Sequence, residues 1–284
     1  MLSPTAAPTG LDTLIRDALK LASDAGRSDV VSTLEAALSA SGTAQPEGCE
    51  LDILAAEVRR GGRLIKLSRG ELALMMALAL RRRPCTRAEL VELLYFHLEE
   101  ATAATQLKVY VHRVRRRLDD PGAILHRNGT YCLGPSVAVD LWDVEAEVAQ
   151  AMRSKAPLSS ETRNRLDAIR QRLVRRSAAL STETEWGAAL ERRLETLLFD
   201  VTTRLGEAAL AARDTSTASR LAAEILTLDP CDERGAELAI RTHLAAGDRG
   251  SAVRELRRYE RTLKVEFAAQ PSPELCSLIT AQGR

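Results

Sequence analysis

The sequence predicts a mainly α fold with small β-hairpins, divided into two domains, and three observations carry that prediction. The 284-residue chain is 45% hydrophobic but only 3% aromatic, so its cores are built from Leu, Ala, Val and Ile, a mixture that favours helices. Two short β-compatible runs with turn signals, Gly61-Gly62 and Asn128-Gly129, bracket three helical stretches. From about residue 158 the pattern is helical to the end, with an internal repeat at a separation of 34 residues.

The bulk numbers exclude more than they assign. A net charge of +1 gives no global case for a nucleic-acid partner, so any such case rests on where the charges sit. The five cysteines, Cys49, Cys85, Cys132, Cys231 and Cys276, are scattered and never form a CxxC pair. No zinc site is expected from them, and a reducing compartment with buried thiols is. No apolar run approaches the ~20 residues that span a bilayer, and the N-terminus lacks the pattern of a secretory signal. A cytoplasmic, nucleoid-associated protein is expected. GxxxxGK[ST], GxSxG and HExxH motifs do not occur, so no cofactor, no metal and no enzyme activity are expected.

Residues 1–47 form an expected helical extension. Leu11, Leu14, Ile15, Ala18 and Leu21 follow helical spacing, as do Val30, Leu34, Ala37 and Leu38. Residues 48–150 form the next domain. "LDILAAEVRRGGRLIKL" reads as a hairpin turning at Gly61-Gly62. Ser68 with Glu71, and Thr86 with Glu89, are capping-box patterns that open two helices, and Pro84 separates them. A third helix covers 102–118, and "ILHRNGTYCL" (124–133) is a second hairpin around Asn128-Gly129. A hairpin, three helices and a closing hairpin make a winged helix-turn-helix domain.

Residues 158–284 form the second domain. Segments 205–226 and 239–260 align so that Asp214 meets Asp248, Ala218 meets Ala252 and Ile225 meets Tyr259. Small residues at fixed helix-contact positions on this period mark tetratricopeptide repeats. Between the copies, Pro230 stops one helix and Asp232 is placed to cap the next. The expected architecture is thus a winged helix-turn-helix domain followed by an all-α tetratricopeptide-like repeat domain.

The third helix of the first domain is where chemistry is expected. At 100° per residue, Leu107, Val111, Val114 and Leu118 form one narrow core seam, and Thr105, Val109, His112 and Arg116 project opposite it. Lys108, Arg113, Arg115, Arg116 and Arg117 are basic, and 105–118 contains no acid. A solvated helix face normally alternates signs, because opposite i,i+4 pairs stabilise it. An unpaired basic face fits an external anion, and a basic hairpin with His126 and Arg127 beside its tip fits the same partner. The domain is not basic overall, with 15 Lys/Arg against 13 Asp/Glu from Glu50 to Glu145. A merely solvated face is the other reading of the helix.

The stretch from "LSRGELALMMALAL" through "LKVYVHRVRRRLDD" and "RNGTYCL" to "VDLWDVE" resembles the OmpR/PhoB-type winged-helix DNA-binding domain of the Streptomyces antibiotic regulatory protein family. "WGAALERRL", "LAAEILTLDPCDERGAELAIRTHLAAGD" and "YERTLKVEF" resemble that family's bacterial transcriptional activator domain. The resemblance implies that Gln106, Lys108, Val109, His112 and Arg113 approach base edges. It implies phosphate contacts by Thr105, Tyr110, Arg115 and Arg116, and minor-groove entry by Arg127 and Asn128. Arg117, near the core edge, snorkels.

The loop with Glu99 and Glu100 is read in two compatible ways, as a complement to the helix dipole and, by resemblance, as a contact for RNA polymerase. Trp142 and Trp186 are expected in packing, and Cys132 is expected to be buried. The function expected is that of a sequence-specific DNA-binding transcription regulator, an activator that recruits RNA polymerase through its σ or α subunit. Homodimerisation is left open. The alternatives are a protein-interaction adaptor built on the repeat domain and a repressor of the same architecture.

Overall fold

The computed structural model describes residues 48–154, 156–176 and 185–280. The two helices expected within 1–47 lie outside the described residues. The chain runs β1 (Cys49–Asp52), β2 (Glu57–Arg60), β3 (Arg63–Leu64), α1 (Arg69–Arg81), β4 (Cys85–Thr86), α2 (Arg87–Tyr95) and α3 (Glu100–Arg117). There follow β5 (Ile124–Arg127), β6 (Thr130–Leu133), β7 (Val137–Val139), α4 (Asp140–Arg153) and α5 (Ser160–Val174). The helical array closes the described chain as α6 (Glu185–Ala211), α7 (Thr215–Leu228), α8 (Glu233–Ala245), α9 (Arg249–Phe267) and α10 (Pro273–Thr280). The fold is mainly α with small sheets, as the composition predicts.

Gly61 and Gly62 take φ of 54° and 75°, the left-handed conformation that a two-residue hairpin turn needs. They join β2 to β3 in register Arg60↔Arg63. β1 pairs antiparallel with β2 and parallel with β7, giving a four-stranded sheet ordered β3-β2-β1-β7. A second sheet, ordered β4-β6-β5, joins the two-residue strand before α2 to the distal hairpin. The hairpins carry local turn signals. Strand β7 and strand β4, of three and two residues, do not, and their pairings join distant parts of the sequence.

Both expected capping boxes form. The Ser68 side chain accepts from the Glu71 N–H while Glu71 accepts from the Ser68 N–H, and Thr86 and Glu89 repeat the exchange. The seam of α3 is buried as its spacing requires, with Leu107, Val114 and Leu118 at 0% exposure and Val111 at 5%. That helix starts at Glu100, ahead of the 102 expected, and its N-cap Glu99 makes no side-chain capping bond.

The repeat is visible as geometry. Asp214 and Asp248 cap α7 and α9 by accepting from the Thr217 and Ser251 N–H groups. Ala218 and Ala252 are both fully buried, as are Ile225 and, nearly so, Tyr259. Asp232 caps α8 through the Gly235 N–H. The turns before α7 and α9 place Arg213 (φ 59°) and Gly247 (φ 77°) at equivalent positions. A side chain in the left-handed region costs about 1–2 kcal/mol, against a smaller unfolded-state entropy penalty for glycine. Arg213→Gly is therefore expected to raise stability by roughly 0.5–1 kcal/mol, read as a higher urea midpoint with an unchanged slope.

The two domains share a core. One hydrophobic cluster runs from Cys49 through Leu107 and Val144 to Leu194 and Leu221, and two smaller clusters serve the later repeats. Helix α4 is the common element. Its Trp142 indole N–H donates to the Ala79 carbonyl at 3.0 Å, and Arg82 lies over the ring at 5.3 Å. Glu145 on the same helix pairs with Arg82 of the first domain and Arg193 of α6. Arg172 of α5 bridges Asp52 of β1 and Asp140 at the start of α4, at 3.1 and 2.7 Å. The buried Arg204 donates to the carbonyls of Ala151 and Ala156 at 3.0 and 2.8 Å, which pins the connection between α4 and α5. Trp186 is buried at the same junction.

Among the described residues the five cysteines are free. Cys49 and Cys85 are buried, but Cys132 is only half-buried and Cys276 is exposed, so the expectation of uniformly buried thiols holds for part of the set. Burial pushes the Cys49 thiol up to about 11. No described helix is long and apolar enough to cross a membrane.

Candidate nucleic-acid interface

Helix α3 presents what its sequence promises on the side away from the seam. Thr105, Lys108, His112, Arg113 and Arg116 are exposed, whereas Gln106 at the margin and Val109, which projects opposite the seam, are half-buried. None of Lys108, His112, Arg113 and Arg116 forms an ion pair among the described residues. Thr105 turns its hydroxyl onto the Ala101 carbonyl at 2.9 Å, which leaves the oxygen able to accept.

Two of the residues expected to grip phosphate have other tasks. Arg115 is half-buried, and its Nε and Nη2 both donate to the Ile124 carbonyl, at 2.9 and 2.6 Å. It sits beside Val114 of the seam and therefore faces the distal hairpin, so it fastens α3 to the first strand of the wing. Tyr110 is half-buried with its ring 6.1 Å from that of Tyr95. A Cβ added at Gly70 would fall 2.4 Å from its ring, so the glycine is what lets Tyr110 lie against α1.

Arg117 does more than snorkel. Its Nε lies 3.1 Å from a carboxylate oxygen of Glu71, a side chain with 0% exposure, and its Nη1 donates to the Lys66 carbonyl at 3.2 Å. Burial alone would push the Glu71 carboxyl up. The Ser68 backbone and side chain and the Arg117 guanidinium outweigh it and hold the group below the usual carboxylate range. Arg60 of β2 donates to the Leu118 carbonyl at the end of α3 and lies 3.7 Å from Asp119. A cation at a helix C-terminus complements its dipole. The last turn of α3 is thus held from three sides, by Arg60, by Arg117 and by Arg115.

The wing is a tight hairpin in register Arg127↔Thr130, turning at Asn128 (φ 50°) and Gly129 (φ 75°). Arg127 and Asn128 are exposed at its tip, and the Thr130 hydroxyl donates to the Arg127 carbonyl at 2.8 Å. His126 stacks on the buried Tyr131, ring centroids 4.3 Å apart, and so stiffens the strand behind the tip. Strand β4 pairs with β6 on its other edge, bringing Thr86 beside Thr130.

Between α2 and α3, Glu99 and Glu100 are exposed, Glu100 in the first turn of α3. Their neighbour Phe96, a residue without a motif to mark it in the sequence, is 68% exposed. Phe96 borders a cleft of about 820 Å³ shared with Leu80, Leu93, Trp186, Leu190 and Arg81. A Phe three residues past Leu93 has the spacing of a core position in a helical pattern, so the sequence gives no sign of its exposure.

A winged helix-turn-helix fused through a shared core to a tetratricopeptide-like array is the architecture of a transcriptional regulator like those of the Streptomyces antibiotic regulatory protein family. Residues 139–281, just over half of the chain, match the model of the bacterial transcriptional activator domain, and the chain belongs to this domain's family. The match begins at the start of α4, the helix common to both domains. Among solved structures, the fold is similar to that of Mycobacterium tuberculosis EmbR in complex with a low-affinity phosphopeptide, with a TM-score of 0.65 at 17% identity. That similarity covers 83% of this chain and 66% of the other, just under two thirds of its length. No curated protein matches the chain.

Proposed function

We propose that this protein is a sequence-specific DNA-binding activator of transcription that works by binding and not by catalysis, in the bacterial cytoplasm. The observation that carries the reading is the outward face of α3, where Lys108, His112, Arg113 and Arg116 stand exposed with no acidic partner beside a rigid wing tipped by Arg127 and Asn128. The major groove admits a helix of this kind, and Arg is the favoured visitor to a narrow minor groove. Gln106, Lys108, Val109, His112 and Arg113 face base edges in this arrangement. Thr105 and Arg116 meet phosphate, while Arg115 and Tyr110 act indirectly, by holding the wing and the helix in place. The loop of Phe96, Glu99 and Glu100 is the contact offered to RNA polymerase.

Genomic fragments captured by the purified protein supply the operator, and mobility shifts on that operator and on a scrambled duplex test the assignment. Arg113→Ala is expected to weaken operator binding by about 10- to 100-fold with little change on the scrambled duplex. Arg116→Ala is expected to weaken both alike and to lower the salt dependence by about one counterion. Equal losses for the two variants on both duplexes would remove the base-reading role. No retention of any duplex at low salt would favour the adaptor reading.

A further inference from the structure

A second helix, α9, with the sequence "RGSAVRELRRYERTLKVEF", carries an outward basic face of the same kind as α3. Its buried side is Ala252, Tyr259 and Leu263, with Leu256 packed among them and Leu275 of α10 against them. Placed at 100° per residue, Arg254, Arg257, Arg258, Arg261 and Lys264 all fall within a sector of about 120° on the far side. All five are exposed. The sector contains no acid, and every member has an i,i+3 or i,i+4 neighbour of like charge, an arrangement that weakens an isolated helix.

Internal compensation is slight. Arg258 has Glu255 at 3.7 Å with its own side chain 66% exposed, and Arg254 donates to the Ser251 hydroxyl at 2.7 Å. Arg257, Arg261 and Lys264 form no ion pair among the described residues. The helical repeat itself does not require this stripe. The equivalent positions 34 residues earlier are Arg220, Ala223, Glu224 and Thr227 on α7 and Pro230 just beyond its end.

Two features separate this surface from the one on α3. Glu255 and Glu266 line one border of the stripe and Glu260 the other, all within a Debye length of the cations. A polyanion as broad as a duplex would meet those carboxylates, whereas a partner one helix or one strand wide would not. The stripe also ends in exposed apolar side chains. Val265, inside the sector, is 78% exposed, and Phe267 at the helix end is 67% exposed. Phosphate backbones have no use for them, while protein interfaces place apolar anchors beside arginines.

We propose that α9 is the docking surface for an acidic protein segment that carries at least one bulky apolar side chain. Arg254, Arg258 and Arg261 take its carboxylates, for which the planar guanidinium offers two parallel N–H groups. Val265 and Phe267 take the apolar residue. The surface stands apart from the proposed DNA-binding face and does not depend on that reading.

The test uses the full chain and a fluorescent synthetic helix-forming peptide with Glu at i and i+4 positions and Leu and Phe at one end, followed by anisotropy. A second peptide carries Gln at every Glu position, and a random-sequence duplex serves as the nucleic-acid probe. The acidic peptide is expected to bind, more weakly as salt rises, and the Gln peptide to bind at least about tenfold more weakly. Arg254→Glu, Arg258→Glu and Arg261→Glu together are expected to abolish binding of the acidic peptide while leaving the thermal melt and duplex retention unchanged. Val265→Ser with Phe267→Ser removes the anchor and is expected to cost about three- to tenfold. Replacing the three arginines by lysine keeps the charge but not the fork, and is expected to give intermediate affinity. Equal binding of both peptides, or no loss in the charge-reversed protein, overturns the proposal. So does a loss of duplex binding in that protein as large as the loss of peptide binding, which makes the stripe a nucleic-acid surface.

Discussion

Replacing Glu71 by alanine is expected to destabilise the first domain by about 3 kcal/mol, and the reason lies in how many groups the one carboxylate serves. It accepts the Ser68 N–H at 2.7 Å, it pairs with Arg117, and its own side chain is completely buried between α1 and α3. Alanine leaves the Ser68 N–H without its acceptor, removes the partner of the Arg117 guanidinium and opens a cavity. Glu71→Gln keeps the shape and an acceptor for Ser68 and removes only the charge, so a loss of about 1 kcal/mol is expected. Arg117 is half exposed and its charge is solvated once the partner is gone, which keeps that figure small.

The pH dependence has a definite sign. The folded Glu71 value lies below the ordinary 4.5. The group therefore contributes stability that is present above 4.5 and lost as pH falls through the lower folded value. Urea denaturation of the wild type, Glu71→Gln, Arg117→Gln and the double variant measures the coupling. Single losses that simply add in the double variant would show that the pair does not act as a unit. Since Arg117 fastens the last turn of α3, the same variants are expected to weaken duplex binding in proportion to that loosening. An unaltered operator affinity in a folded Arg117→Gln protein would separate the tether from the interface.

What the sequence made legible, and what it did not, follows the range of each interaction. Ser68 with Glu71 and Thr86 with Glu89 were readable because a capping box closes within four residues. Asn128-Gly129 was readable because the turn alone fixes the hairpin. The α3 seam was readable because burial imposes a period. Asp214 and Asp248 were readable because repetition doubles a weak signal. The parallel pairing of β1 with β7, by contrast, joins strands about ninety residues apart with no local turn to announce it.

Side-chain assignments divide in the same way. The exposure of Lys108, His112, Arg113 and Arg116 follows from helical projection alone. The partners of Arg115 and Arg117 do not, because Ile124 belongs to the wing strand and Glu71 to α1. A run of three arginines in sequence therefore resolves into a wing fastener, an outward cation and a core tether. The basic stripe on α9 lies on positions that the repeat leaves free, because the 34-residue period constrains only the buried side of the helix.

The junction between the domains sets up the opposite pH dependence. Asp140 begins α4 with its side chain 15% exposed, accepts the Ile53 N–H at 2.7 Å, and shares Arg172 with Asp52. Burial pushes its carboxyl up from 3.8 to about 6, the Ile53 N–H and Arg172 pull it down, and the Asp52 carboxylate adds to the rise. A folded value above the unfolded one means that the fold favours the protonated form. This contribution is therefore full below about 4 and is lost as pH rises through about 6. A rise of this size corresponds to at most about 3 kcal/mol.

Other carboxylates oppose it, since Asp167, Asp214 and Asp248 are held low by their partners and lose stability in acid. The whole-protein profile therefore mixes both signs, and only a difference isolates the junction. Asp140→Asn retains a carbonyl oxygen for the Ile53 N–H, ends the repulsion with Asp52, and leaves Arg172 with one carboxylate. The variant is expected to exceed the wild type in stability by about 2 kcal/mol at neutral pH, and the gap is expected to close between about pH 7 and pH 4. Urea midpoints of the two proteins across that range decide it. A gap that does not change with pH would mean that Asp140 is charged throughout and that Arg172 compensates both acids fully. A closing gap would make this three-residue clamp the point at which protons loosen or tighten the hold of the helical array on the winged helix.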